Sequence, residues 1–174
     1  MIIKNDNSLW ATGKNDNGEL ADGTRTHRLA PIKVMDNVKA IAASFFFSYI
    51  LKTDGSLWVV GDNGNGQLGL GTQDPLYTPV KLMDNVIAIS TGEFHGLILK
   101  SDNTLWETGF INCYAALKTS PEKIADNVKS IETGMNYNLI LKKDNTLWGR
   151  GSNAFGALGD GSNQNRVNFV RIYQ

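Results

Sequence analysis

Short segments in which apolar and polar residues alternate run along the whole chain, and turn-forming residues separate them. In one stretch the segments that predict strands are Tyr49–Lys52, Ser56–Val60, Pro79–Met83 and Val86–Thr91. Each segment is bounded by Gly, Asn or Asp, which interrupt regular structure. The 3.6-residue period of an amphipathic helix is absent. The pattern therefore predicts an all-β protein.

The same heptapeptide recurs four times and ends each time at a tryptophan. The copies are KNDNSLW at Trp10, KTDGSLW at Trp58, KSDNTLW at Trp106 and KKDNTLW at Trp148, spaced 48, 48 and 42 residues apart. Such a period indicates a repeat architecture. We divide the single domain 1–174 into repeats 1–48, 49–96, 97–138 and an incomplete 139–174. Because all four tryptophans share one repeat position, we expect them to be packing anchors rather than a binding site.

Pairs of turn residues predict two-residue hairpin turns with a positive φ angle. There are seven such pairs: Asp6-Asn7, Asp36-Asn37, Asp54-Gly55, Asp84-Asn85, Asp102-Asn103, Asp126-Asn127 and Asp144-Asn145. With these turns, each repeat contains four short strands. The strand after the second turn, for example Val86–Thr91, is apolar on both faces, as expected for a sheet stacked between other sheets. The prediction is a β-propeller of four-stranded antiparallel blades.

One glycine-rich loop and the strand downstream of it carry a family resemblance. The loop GDNGNGQLGLGT spans Gly61–Thr72, Pro79 follows, and AISTGEFHGLILK spans Ala88–Lys100. This pattern resembles the repeat of the regulator of chromosome condensation family, whose units of about fifty residues build a seven-bladed β-propeller. The loops of the first, second and fourth repeats fit this pattern, whereas the third loop, GFINCYAALKTS, has lost its glycines and six residues. The Asn-rich composition resembles bacterial members.

The strand count predicts an unclosed ring. The opening MIIK aligns with YILK at Tyr49, and the final VRIYQ aligns with IKVMD at Ile32, which gives fifteen strands. The resemblance implies that the strand after each Asp-Asn pair lies innermost, so the first blade lacks this strand. About four blades make half of a seven- or eight-bladed ring. We expect two copies to assemble, or the chain to be an open fragment, in preference to a four-bladed ring with one incomplete blade.

The charge balance argues against two classes of partner. The chain has 17 basic and 17 acidic residues, so no overall field favours a nucleic acid or an anionic membrane. The longest uncharged, mostly apolar run is Ala40–Leu51, well short of the roughly 20 residues that cross a bilayer. The amino terminus lacks a signal-peptide pattern, and the compartment stays open.

Two motifs resemble ligand sites but favour structural interpretations. Gly64, Gly66 and Gly69 spell the dinucleotide fingerprint G-x-G-x-x-G, yet the sequence that follows cannot begin the helix that the fingerprint needs. Asp and Asn are abundant at 15–18 and 62–66, but the acidic spacing of a calcium loop is missing. We interpret both as loop and Asx-turn residues and predict no cofactor and no metal.

Catalytic motifs are also missing from the sequence. His27 and His95 are the only histidines, and neither belongs to a recognisable catalytic motif. Cys113 is the single cysteine, which excludes an internal disulfide, and we expect an inert thiol. A spatial pair of carboxylates stays open as an alternative, although the chain has only five glutamates and most aspartates lie in turns. We predict a protein that is not an enzyme.

The loops after the innermost strands are the predicted partner-binding surface, because aromatic residues recur in SFFFS, GEFHG and GMNYN. An alternative holds for Phe47, His95 and Tyr137, which would pack inward if they begin the next strand. The predicted contact residues are Phe45, Phe46, Phe47, Glu93, Phe94, His95, Met135, Asn136 and Tyr137.

Two main functions compete on this evidence. The first is a non-catalytic protein-protein interaction module that binds a protein partner of unknown identity through its loops. The second is a structural self-assembly unit, a half-propeller that forms a homodimer to complete a ring. The resemblance also implies two narrower activities, guanine nucleotide exchange and β-lactamase inhibition. An enzyme or lectin at the axial channel is the weakest possibility.

Overall fold

The computed structural model describes residues 1–111 and 116–173, and within them every regular element is a β-strand. The strands form one three-stranded and three four-stranded antiparallel sheets. The first sheet contains β1 (Ile2–Ile3), β2 (Leu9–Gly13) and β3 (Arg28–Met35). The second contains β4 (Val38–Ala43), β5 (Phe47–Lys52), β6 (Leu57–Gly61) and β7 (Leu76–Met83). The third contains β8 (Val86–Thr91), β9 (His95–Lys100), β10 (Leu105–Gly109) and β11 (Lys118–Ala125). The fourth contains β12 (Val128–Thr133), β13 (Tyr137–Lys142), β14 (Leu147–Gly151) and β15 (Arg166–Tyr173).

The sheets are propeller blades whose strands follow one another in chain order. Strand β8 contacts both β4 and β12, so the first strand of each four-stranded sheet lies where neighbouring sheets converge. The three-stranded first sheet has no strand in this innermost position. The predicted all-β propeller of about four blades is confirmed. Cys113 lies outside the described residues.

The seven predicted turns all contain a residue with positive φ, but their geometry corrects the prediction. In the loop Thr53–Gly55, the Gly55 N–H donates to the Lys52 carbonyl at 3.1 Å and the Lys52 N–H donates to the Ser56 carbonyl at 2.9 Å. Only Gly55 has positive φ, at 81°, which fits a type I turn followed by a left-handed residue. The loop is therefore three residues long, not two.

Three of the seven turns are not hairpins at all. Asn37, Asn85 and Asn127 have positive φ as predicted, but each connects the outermost strand of one sheet to the innermost strand of the next. The reason lies in tertiary pairing, because the strand that follows each turn pairs with the second strand of the next sheet rather than with the strand before it. Local sequence favours a turn equally well in both situations.

The recurring heptapeptide is a hydrogen-bonded hairpin at one end of each blade. In the second sheet, the Ser56 hydroxyl donates to Asp54 Oδ1 at 2.6 Å and accepts from Trp58 Nε1 at 3.0 Å. The hydrogen bond from Ser56 lowers the pKa of Asp54, because it stabilises the carboxylate. Lys52 Nζ lies 5.5 Å from the Trp58 ring centroid. The same contacts recur around the other three tryptophans, so the motif is structural.

Successive sheets share apolar cores through alternate residues of the second strand. Phe47 and Tyr49 pack with Ile98 of the third sheet, whereas Ile50 packs with Leu9 of the first sheet. All five side chains are fully buried. The second sheet therefore packs apolar side chains on both of its faces, which explains why Tyr49 and Ile50, on opposite faces of its second strand, are both buried.

Tyr49 links two blades through its hydroxyl, and its loss should weaken the fold. The hydroxyl lies 2.6 Å from the Gln67 carbonyl oxygen and 2.6 Å from Thr108 Oγ1 in a fully buried site. We expect Tyr49→Phe to lower the free energy of unfolding by about 1–2 kcal/mol, measured by chemical denaturation. Tyr77→Phe, at a partly exposed tyrosine, is the matched control and should change little. Equal stabilities for the two variants would contradict this role.

Candidate protein-interaction surface

Three loops at the ends of the innermost strands form one surface, which we call the loop face. It consists of residues 44–46, 92–94 and 134–136. Each loop is tight, because the N–H of its first residue donates to the carbonyl three residues later at 2.9 Å. Neighbouring loops are also joined. Ser44 Oγ donates to the Gly92 carbonyl at 2.8 Å, and the Glu93 N–H donates to the Met135 carbonyl at 2.9 Å.

Large apolar side chains project from this rigid backbone. Phe45 is 65% exposed and Met135 is 56% exposed. Phe46 and Phe94 are half-buried and stack with their ring centroids 6.4 Å apart and their planes at 9°. Phe45 lies against Phe46 at 6.1 Å between centroids. The loop face therefore presents a row of three aromatic rings from two sheets, and it presents Met135 from a third sheet.

An open pocket of about 350 Å³ lies among these loops. Phe45, Glu93 and Met135 all line it. Asn136 Nδ2 lies 3.4 Å from Glu93 Oε2, a long hydrogen bond that leaves the carboxylate accessible. Thr91 and Thr133 also line the pocket, although the sequence analysis did not select them. The sequence could have indicated them, because each is the last residue of an innermost strand and directly precedes a loop of the loop face.

Two of the nine predicted contact residues lie in the interior, which is the alternative that the sequence left open. Phe47 and His95 are 0% exposed and begin the second strand of their sheets. Their rings lie too deep for a partner to reach. The sequence signal for this burial was spacing: Phe47 lies two residues before Tyr49, and His95 lies two residues before Leu97, so each pair points to the same face of its strand. Tyr137, at the same position in the fourth sheet, is half-buried.

His95 belongs to a buried polar network between the third and fourth sheets. Its Nε2 lies 2.7 Å from Asn138 Oδ1, and Asn138 Nδ2 donates to Glu107 Oε1 at 2.9 Å. Glu107 forms ion pairs with Arg150 and, at 3.7 Å, with Lys118. Burial lowers the pKa of His95, so its imidazole is neutral and donates from Nε2. The residue therefore joins the third and fourth sheets.

Within residues 1–111 and 116–173, no cluster of three His, Cys, Asp or Glu side chains could hold a metal ion. In the same part of the chain, no helix is long and apolar enough to cross a membrane. Two of the three glycines of the apparent dinucleotide fingerprint, Gly66 and Gly69, pack against the next blade. A Cβ at Gly66 would lie 2.9 Å from the Lys118 carbonyl oxygen, and one at Gly69 would lie 2.6 Å from Thr108 Cγ2. These glycines therefore permit close packing of blades.

Comparison with known protein families found the same repeat. Two models described as the regulator of chromosome condensation (RCC1) repeat match residues 38–67 and 54–99. Together these ranges cover the second sheet and its glycine loop. No curated protein sequence matches the chain significantly.

Solved structures with a similar fold are propellers of about twice this length. Human WBSCR16 superposes with a TM-score of 0.88 at 18% identity, over 99% of this chain and 50% of that chain. Yeast RCC1 (Prp20), solved bound to Kap60, gives 0.80 at 22% identity, over 96% and 45%. Prp20p from Saccharomyces cerevisiae, in a study of its binding to Gsp1p and histones, gives 0.81 at 21%, over 97% and 47%. The chain thus spans about half the length of these proteins, and the likeness establishes the fold.

The buried state of His95 predicts how stability depends on pH. An unfolded chain takes up the imidazole proton near pH 6.5, whereas the folded chain does so only at lower pH. Between these values the unfolded state binds more protons, so the free energy of unfolding falls as the pH falls below about 6.5. Chemical denaturation from about pH 8 to about pH 5 measures this slope.

Two substitutions test whether His95 causes the slope. His95→Phe introduces the residue found at this position in the second sheet, and it should reduce the loss of stability at acid pH, although it lowers the stability at neutral pH. His27→Gln removes the other, exposed histidine and is the control. An unchanged slope in His95→Phe would show that other groups cause the acid sensitivity.

Proposed function

Because the chain belongs to the regulator of chromosome condensation repeat family, we propose that it is a non-catalytic protein-binding module whose contact surface is the loop face. The observation that carries this proposal is the exposure of two large apolar side chains, Phe45 and Met135, around one open pocket at the loop face. Propellers of this repeat often serve as protein-interaction or exchange-factor modules.

The energetics of burial favour a macromolecular partner at this surface. Buried aromatic anchors supply most of the binding energy at protein interfaces, and contiguous exposed apolar patches mark such interfaces. Phe45 and Met135 leave more than half of their surface in water, which a partner would displace. The loops that carry them are held by backbone hydrogen bonds, so little conformational entropy is lost on binding.

The pocket also indicates the chemistry of the partner. Phe45 and Met135 form apolar walls for one large side chain, such as leucine or an aromatic residue. Glu93 adds a negative charge at the same place, which favours a lysine or arginine next to that side chain. We therefore expect a partner segment with an apolar anchor followed or preceded by a basic residue.

The solved relatives give independent support for a protein partner. Yeast RCC1 (Prp20) was crystallised with Kap60 bound, and Prp20p was studied for binding to Gsp1p and histones. Those partners are proteins, which supports the same class of partner for this chain. At 22% and 21% identity the particular partners are not transferred.

A peptide selection tests the loop face and needs no candidate partner. The immobilised protein would select binders from a random peptide library, and calorimetry would measure the affinity of the enriched peptides. We expect enrichment of a large apolar residue next to Lys or Arg. Phe45→Asp should weaken these peptides about tenfold or more, since loss of an interface anchor costs at least 1–2 kcal/mol.

Two controls distinguish loss of binding from loss of folding and from nonspecific binding. Val167→Asp places the same charge at a residue that is 58% exposed on the outermost strand β15, and it should leave peptide affinity unchanged. Denaturation curves of both variants should match that of the unmodified chain. Peptides that bind Phe45→Asp as well as they bind the unmodified protein would contradict the proposal.

A further inference from the structure

The four methionines of the chain differ in exposure, and the exposed one lies on the loop face. Met1, Met35 and Met83 are half-buried and pack against the apolar cores between sheets. Met135 is 56% exposed. Because an oxidant in solution attacks the sulfur atoms that it can reach, Met135 is the methionine most open to oxidation.

The exposure of Met135 belongs to its position in the repeat. Phe45, Glu93 and Met135 each lie two residues after the end of the innermost strand of their sheet. The second and third sheets each have a neighbouring sheet on both sides, yet Phe45 is 65% exposed and Glu93 is only half-buried. A neighbouring sheet therefore leaves a side chain at this position accessible to solvent.

The thioether of Met135 is part of the pocket that the loop face offers to a partner. Met135 and Phe45 line this pocket of about 350 Å³ together with Glu93. The flexible, polarisable methionine side chain adapts its shape to an apolar group. The ionised Glu93 carboxylate accepts hydrogen bonds but cannot donate one. An oxygen atom added to the Met135 sulfur would therefore gain no donor from Glu93.

The backbone around Met135 is held by bonds that do not involve its side chain. The Met135 carbonyl accepts the Glu93 N–H at 2.9 Å, and the Gly134 N–H donates to the Tyr137 carbonyl at 2.9 Å. Both bonds are independent of the sulfur atom. A change at Sδ therefore alters the wall of the pocket and keeps the contacts that fix the loops.

We propose that Met135 is a redox-sensitive modification site, at which a hydroperoxide converts the thioether to a sulfoxide and so releases the bound partner. This proposal rests on the proposed function of the loop face. With hydrogen peroxide, a lone pair of the sulfur attacks one peroxide oxygen, the O–O bond breaks and the S–O bond forms. The sulfur loses two electrons to the peroxide. The proton of the transferred oxygen joins the departing hydroxide, which leaves as water.

The sulfoxide weakens binding because it places a polar group in an apolar wall. A partner side chain packed between Phe45 and Met135 would strip water from the sulfoxide oxygen, and an apolar side chain offers no hydrogen bond in return. We expect the affinity to fall by roughly tenfold to a hundredfold. Methionine sulfoxide reductases A and B restore the thioether, so the change is reversible.

Mild treatment of the folded chain with hydrogen peroxide tests the proposal. The peroxide is removed before the addition of a peptide that was selected on the loop face and lacks Met, Cys and Trp. Mass spectrometry should find the sulfoxide at Met135 before it appears at Met35 or Met83. Calorimetry should then show the loss of peptide affinity, and the denaturation curve should stay unchanged.

Matched variants and a repair step identify the sulfur that is responsible. Met135→Leu removes the sulfur from the pocket, so whatever affinity this variant has should be the same before and after peroxide. Met83→Leu removes a half-buried methionine and should remain as sensitive as the unmodified chain. The two reductases with a thiol reductant should restore affinity, whereas the thiol reductant alone, which repairs a reversibly oxidised Cys113, should not.

Three results would overturn the proposal: oxidation of Met35 or Met83 ahead of Met135, complete oxidation of Met135 with unchanged peptide affinity, or an equal loss of affinity in Met135→Leu. In each case, peptides whose binding depends on Phe45 would leave the proposed function of the loop face intact. If the selection yields no peptide that depends on Phe45, the proposed function is wrong, and the release of a partner by oxidation is wrong with it.

Discussion

Backbone carbonyls of residues with positive φ hold the blades in sequence. The carbonyls of Asn7, Gly55 and Asn103 accept the N–H groups of Val38, Val86 and Val128, which begin the next sheet. Those of Asn37, Asn85 and Asn127 accept from the turn of that next sheet. Only Gly, Asn and Asp reach this conformation readily, which explains why the turns recur with the same residue types. The left-handed turn is thus both the end of a hairpin and the link between blades.

This link lies at the hairpin end of the blades and leaves the loop face free for another task. At the loop face, the carbonyls of Phe46, Phe94 and Asn136 accept from N–H groups that follow the third strand of each sheet, so the backbone is fixed. The side chains are not needed for that bond. Phe45 and Met135 therefore project into water without loss of the fold, and this separation of backbone and side-chain roles suits a binding surface.

Only part of the site was accessible to sequence reasoning. The aromatic loops SFFFS and GEFHG were visible as a pattern, and the repeat placed them at one end of the blades. Burial was not visible, because Phe45, Phe46 and Phe47 have the same chemistry and differ only in which side of the chain the next sheet covers. The half-buried state of Tyr137, beside the buried Phe47 and His95, likewise depends on whether a following blade is present.

The sequence by itself determined the elements: four tryptophan motifs, the turn residues with positive φ, and fifteen short strands in an all-β propeller. These follow from local physics, since φ preferences and two-residue alternation act within a few residues. The tertiary structure decided which turns join strands within a sheet and which join sheets, and it decided which aromatic residues face water. These features depend on packing between residues far apart in the chain, where Asp36-Asn37 and Asp54-Gly55 look alike locally but lie at different places in the stack of sheets.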